Sequence, residues 1–200
     1  RRQRQMCIRD RPITLQATGK GDLKNFTKLE ILNHPVFFHG DAFFAGFYLN
    51  EILLRLCPLE EAMPQTFLQY QKTLAQLQLL STHPQPALFL RQILRQFEHA
   101  LLQELGYAVD FYVDCNQQAI SKVMSYQFQA TEGFLPVASR SAANLSGELV
   151  CCMQNYVEGA EFSAEQLQLL GKLYRQMISS FLGDLPLKIR QLWIQITQSH

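Results

Sequence analysis

Hydrophobic and polar residues alternate in short runs over residues 12 to 33, where ITLQAT and LKNFTKLEIL flank Gly19-Lys20-Gly21-Asp22. A period of two around a glycine-rich turn predicts two β-strands. Two strands cannot bury a core by themselves, so this segment reads as the tail of a β domain. After Pro35 the period lengthens to about 3.6. DAFFAGFYLNEILLRL predicts a helix, with Asp41 as its cap and Pro58 ending it. A second helix is expected after Pro64, with Phe67, Tyr70, Leu74 and Leu77 on one face. STHPQP breaks it. Pro86 then suits the first turn of a third helix, whose stripe is Leu90, Leu94, Phe97, Leu101 and Leu105, and Gly106 sits at the left-handed cap position. At roughly 20 residues and about 1.5 Å each, this helix is about 30 Å long.

Residues 107 to 140 lose the helical period. SYQFQATEGFLP alternates around Thr131-Glu132-Gly133 and predicts a small hairpin. Helices resume at Ser146. Ser163 and Gln166 form a capping box, Phe162 and Leu167 occupy the staple positions, and the helix they open runs to Leu182 before Gly183 stops it. A last helix, entered through Asp184 and Pro186, carries Leu187, Leu192, Trp193 and Ile196. The expected fold is mainly α: about six helices with a small β-hairpin insertion, preceded by the last strands of a truncated β domain.

Composition agrees with a packed domain, since 48% of the 200 residues are hydrophobic and 18% are charged. No apolar run approaches the roughly 18 to 20 residues that span a bilayer, and no apolar stretch follows the N-terminal arginines as in a secretory signal. The chain therefore reads as soluble and intracellular, with no membrane partner. Charge is unevenly placed. RRQRQMCIRDR, residues 1 to 11, holds Arg1, Arg2, Arg4, Arg9 and Arg11 against Asp10 alone, and without it the net charge of +1 becomes about −3. A nucleic-acid-binding arm and a stretch foreign to the fold are the two readings of these residues.

Catalytic and metal-binding patterns are weak. The five cysteines, Cys7, Cys57, Cys115, Cys151 and Cys152, contain no C-x-x-C pair, so neither a disulfide framework nor a zinc site is expected and the thiols read as ordinary buried ones. His34, His39, His83, His99 and His200 show no H-x-x-x-H or H-E-x-x-H spacing. There is no G-x-S-x-G, phosphate loop or G-x-G-x-x-G. The chain reads as a non-enzyme without cofactor. Cations on otherwise apolar helices stand out instead: Arg95 beside Leu94 and Phe97, Lys172 with Arg175, and Lys188 with Arg190. Such a set suits a groove for a peptide bearing acidic and hydrophobic groups. From pattern alone, solvated surface charges are the better reading.

Gly46-x-Tyr48-x-Asn50-Glu51 followed by an aliphatic residue resembles the RecO family of bacterial recombination mediators. Further matches fall in the same order. They are Gly21-Asp22-Leu23-Lys24, then Arg95-x-Phe97-Glu98-x-x-Leu101-Leu102-x-x-Leu105-Gly106-Tyr107, then Gly133-Phe134 after an aromatic strand. The last is Leu182-Gly183 with Pro186-Leu187-Lys188-x-Arg190-x-Leu192. The resemblance implies an OB-fold ending in residues 12–34 and a helical C-terminal domain in 35–200, with most of the OB-fold absent. Residues 1–11 match no part of the family and are expected to be a non-native, adapter-derived stretch. It also implies a cytoplasmic, nucleoid-associated repair and recombination mediator of the RecF pathway, which anneals strands and loads recombinase. Its implied partners are RecR, the C-terminal tail of single-strand-binding protein, and single- and double-stranded DNA, with DNA binding weakened by the missing OB strands. Arg95 matches the family position for the tail, and Lys172, Arg175, Lys188 and Arg190 match basic positions nearby. The closing segment departs from the usual G-G-x-P-L-K-S-R-E-L at Asp184, Leu185, Ile189 and Gln191, which weakens that edge as an anion site. Some members carry a four-cysteine zinc site after the L-G-Y turn; Cys115 alone remains here, so no metal is expected. The alternative is a helical interaction or ligand-binding domain unrelated to repair. The two orphaned strands are expected to cause local disorder or aggregation near residues 13 to 33.

Overall fold

A computed structural model describes residues 13–20, 24–31, 37–138, 144–154, 161–183 and 186–198. The arginine-rich residues 1 to 11, most of the Gly21-to-Lys24 turn, Asp184 and Leu185 lie outside the described residues, as do the side chains of Arg190, Ile194 and Ile196.

The period-two segment is an antiparallel ribbon of β1 (Ile13–Thr18) and β2 (Asn25–Ile31). Its register pairs Ile13 with Ile31, Leu15 with Leu29 and, past a bulge after Gln16, Ala17 with Phe26. Side chains alternate across a strand, so these residues line one face while Thr14, Gln16, Lys28 and Glu30 line the other. Both strands are exposed throughout. The ribbon is thus formed where disorder was expected, and its uncovered apolar face is the feature that favours association.

Among the described residues, the 3.6-period region folds into six helices and a three-stranded sheet. The helices are α1 (Gly40–Leu56), α2 (Pro64–Gln78), α3 (Pro86–Glu104), α4 (Gly147–Cys151), α5 (Ala164–Leu182) and α6 (Lys188–Gln198). A 3₁₀ turn, Leu80–Thr82, separates α2 from α3. The expected hairpin is β3 (Ser125–Gln129) with β4 (Gly133–Val137), and a short third strand, β5 (Leu145–Ser146), joins on the far side of β3.

Helix α3 is the centre of the body, flanked by α2 and α5. Leu90, Ile93, Leu94, Phe97, Leu101 and Leu102 are buried, each contributing roughly 1.5–3 kcal/mol relative to an exposed side chain. The helix stops in a Schellman motif: Gly106 takes φ of +83°, its N–H donates to the Gln103 carbonyl, and the Tyr107 N–H donates to that of Leu102. Tyr107 then packs on Phe181 of α5 at 4.2 Å between ring centroids. On α2 the buried face is Thr66, Gln69, Thr73 and Leu77. Phe67, expected inside, is exposed because the buried face of the helix runs through Thr66, Gln69 and Thr73.

Helix N-termini are closed in two ways. Ser146 and Ser163 cap α4 and α5 locally, the latter in the full capping box with Gln166. Helices α1, α2 and α3 lack such local side-chain caps. For α1 the preceding residue is His39, and Asp41 lies inside the first turn, where its carboxylate accepts from Trp193 of α6 at 3.2 Å. For α2, Glu104 at the end of α3 accepts the N–H groups of Gln65 (3.1 Å) and Thr66 (2.6 Å). For α6, Glu51 of α1 accepts those of Lys188 (2.9 Å) and Ile189 (3.0 Å). A carboxylate there satisfies orphan donors and complements the helix dipole. Arg55, one turn from Glu51, donates to the Pro186 carbonyl at 3.1 Å and fixes the same junction.

Two outcomes follow from these caps. Glu51→Ala should cost about 1–2 kcal/mol in a denaturant titration, with faster amide exchange confined to the start of α6. Burial pushes the Glu104 carboxyl up, but hydrogen bonds from Thr66 and Gln65 outweigh it and hold the group below its ordinary value of 4.5. The associated stability is present above that value and is lost as pH falls through the depressed folded value. Glu104→Gln should therefore lower the denaturant midpoint at neutral pH, and the gap from the parent chain should close on acidification below 4.5.

Candidate functional site

The chemistry concentrates at the seam between α3 and α5. Arg95 and Glu98 are three residues apart on α3 and therefore share a face. The Arg95 Nη2 donates to Glu98 Oε1 at 2.5 Å, and the hydroxyl of Tyr48, from α1, donates to the same oxygen at 2.5 Å. The Glu98 side chain is only 1% exposed and that of Arg95 15%. A carboxylate buried to that degree calls for charge and hydrogen-bond compensation, which these two donors supply at Oε1. Space for the guanidinium comes from Gly171 on α5, since a Cβ there would lie 2.8 Å from Arg95 Nη1. One turn further along α3, His99 Nδ1 lies 2.9 Å from the Tyr174 hydroxyl of α5 and ties the helices a second time.

The basic residues expected at a site divide between two places. Lys172 adjoins Gly171 on α5 and Arg175 follows one turn later, both exposed, so they stand on the helix that packs against Arg95. Lys188 is exposed at the start of α6, which packs on α1, and its backbone is held by Glu51. Arg190 lies on α6 with its side chain outside the described residues. Sequence reasoning did not assign roles to Tyr48, Glu98 or Gly171. The Arg95–Glu98 spacing was a visible signal, and Tyr48 lay within the G-x-Y-x-N-E motif. Every other part of that motif also has a structural contact. Gly46 faces the Phe38 ring, Asn50 accepts from the Tyr70 hydroxyl at 2.7 Å, and Glu51 caps α6.

Clefts also open beside α2. One of about 550 Å³ between α2 and α3 is lined by Gln65, Gln69, Gln96, Gln103, Lys72 and His99. The other, about 410 Å³ between α1 and α2, is apolar, with Leu53, Met63, Phe67 and Tyr70 in its wall. Cys57 also lines it, and burial, then the nearby Glu104 charge, pushes its thiol pKa up, away from reactivity. Cys152 and Cys115 are exposed, contrary to the reading of all the thiols as buried. Among the described residues no group of three or more His, Cys, Asp or Glu side chains could hold a metal ion. No described helix is long and apolar enough to cross a membrane.

Removing one member of the buried pair strands the other. Arg95→Met should cost about 3 kcal/mol in thermal or denaturant unfolding, and adding Glu98→Gln, which retains an acceptor for Tyr48, should recover most of it.

The family model described as the recombination protein O C-terminal domain matches residues 38–190. The DNA repair protein RecO of Cupriavidus metallidurans is 36% identical over 190 residues, covering 92% of this chain and 60% of that protein. Its namesake in Pseudoalteromonas translucida is 35% identical over 176 residues, 88% of this chain and 71% of that protein. That of Actinobacillus pleuropneumoniae is 33% identical over 187 residues, 92% and 74%. The chain thus spans under two thirds of the first relative's length and about three quarters of the third. These matches overturn the alternative of an unrelated helical domain. The matched region takes in the helical body from the residue before His39 to Arg190, including Tyr48, Arg95, Glu98 and Gly171, and the chain belongs to the RecO family.

Proposed function

We propose that this chain serves DNA repair and recombination as a non-enzymatic mediator of the RecF pathway, and that its helical body docks the acidic, apolar C-terminal tail of single-strand-binding protein. Support for this reading comes from Lys172 and Arg175, which are exposed on α5, the helix whose Gly171 lies against the largely buried Arg95. Exposed cations on a packed helical scaffold supply attraction for an acidic segment with little reorganisation. In this proposal Arg95, Lys172 and Arg175 form the main contact, while Lys188 and Arg190 belong to a separate edge on α6. RecR and single- and double-stranded DNA are the further proposed partners, with annealing and recombinase loading as the outcome, in the cytoplasm at the nucleoid.

The same proposal treats the ribbon as the closing strands of an OB-fold in residues 12–34 and residues 35–200 as the interaction domain. The exposed row of Ile13, Leu15, Phe26, Leu29 and Ile31 supports it, because such a face calls for further strands to cover it. An OB-fold grips single strands with a basic groove and stacked aromatics. The part of the chain after residue 11 is slightly acidic, so DNA affinity on its own is expected to be weak.

Titration of the chain with the tail peptide at low and moderate salt tests the reading. Micromolar binding that weakens with salt is expected. Lys172→Glu with Arg175→Glu should reduce it at least about tenfold at low salt while leaving the unfolding midpoint in place. These exposed positions are better probes than Arg95→Ala, whose loss of binding would be entangled with loss of the buried pair. Absence of binding by the folded parent chain would remove the tail from the proposal.

A further inference from the structure

We infer that Tyr48 and Glu98, with the space left by Gly171, are positioning residues that hold the Arg95 guanidinium ready for an acidic partner; this rests on the tail-binding reading above. An arginine side chain has several rotatable bonds, and an exposed arginine loses that rotamer freedom on gripping a carboxylate. Here that ordering is already in place. The guanidinium is held at two points: Nη2 is bonded to Glu98 Oε1 at 2.5 Å, and Nη1 lies against Gly171.

Glu98 can serve as an anchor only if its own carboxylate is fixed, and the Tyr48 hydroxyl on the same oxygen does that from a different helix. The Tyr48 hydroxyl bonds Glu98 on the same oxygen that Arg95 uses, so Glu98 links the two. Gly171 acts from the opposite side. Any side chain there would occupy the place of the guanidinium, with a Cβ 2.8 Å from Nη1. The set spans α1, α3 and α5, so the orientation of one arginine is tied to the packing of the whole helical body. Lys172 and Arg175, on the surface of α5, lack such bracing and supply charge rather than direction.

The test compares the parent chain with Tyr48→Phe, Gly171→Ala and Lys172→Ala, using tail-peptide titration at two salt concentrations and side-chain NMR of Arg95 in isotope-labelled protein. In the parent, rotation of the Arg95 guanidinium should be slow. Tyr48→Phe should remain folded, speed that rotation and weaken peptide binding by about two- to tenfold, with the salt dependence unchanged because no charge is lost. Gly171→Ala should weaken binding in the same way from the other side, which keeps the test decisive if Tyr48→Phe does not fold. Lys172→Ala should instead flatten the salt dependence and leave the rotation slow. Folded Tyr48→Phe or Gly171→Ala with parental affinity, or with unaltered Arg95 rotation, would overturn the inference. Failure of the parent itself to bind would mark the tail reading as the error and would return the network to the fold alone.

Discussion

The helical body is organised around one buried negative charge. Glu98 sits on the central helix with almost no access to water, and an ion in that position is costly unless donors surround it. Its donors come from its own helix, through Arg95, and from α1, through Tyr48, while α5 contributes the missing side chain at Gly171. An apolar interior would tolerate a range of helix offsets, because dispersion and hydrophobic contacts are not directional. This cluster does not. Moving α1 along its axis by one turn, about 5.4 Å, would take the hydroxyl away from the carboxylate and leave it uncompensated. The arrangement sets the register of three helices more than it adds to net stability.

A second set of long-range carboxylate contacts extends the same logic to the ends of the helices. Glu104 closes α2 from the end of α3, and Glu51 closes α6 from the middle of α1. Helix α2 has no local side-chain cap at the position before its first turn that would make it self-sufficient. Formation of α2 and α6 is therefore coupled to docking, in contrast with α4 and α5, which carry their own serine caps. Helix α6 depends on α1 at three points: the Glu51 cap, the Asp41–Trp193 hydrogen bond and the stacking of Phe44 on Trp193. The G-x-Y-x-N-E motif thus connects α1 to α2, α3 and α6. Its residues fit the packing of the family domain and need no direct part in binding.

The division between braced and solvated cations gives the proposed interaction surface its character. Arg95 is largely buried and paired with Glu98, whereas Lys172 and Arg175 are exposed, so in the proposed site the first would give direction and the others attraction that salt screens. Lys188 stands at the start of α6, where its backbone is anchored to Glu51 of α1.

Much of the fold was legible in the chain. The stripe of the central helix, Gly106 at its end, the Ser163–Gln166 capping box and the hairpin around Thr131 to Gly133 all depend on contacts within a few residues, which local patterning specifies. Errors arose where the deciding partner lies far away in sequence. Phe67 has a helical period but faces water because the buried face of its helix runs through Thr66, Gln69 and Thr73, and Asp41 has the chemistry of a cap but bonds to Trp193, more than a hundred residues on. The sequence by itself determined which segments become helix or strand, where most of them stop and which family they resemble, because those depend on backbone propensity and the period of apolar residues. Only the tertiary structure decided that Tyr48, Glu98, Arg95 and Gly171 meet, and which carboxylate closes which helix. Those contacts join side chains up to more than a hundred residues apart, and no local periodicity encodes the angle at which two helices cross.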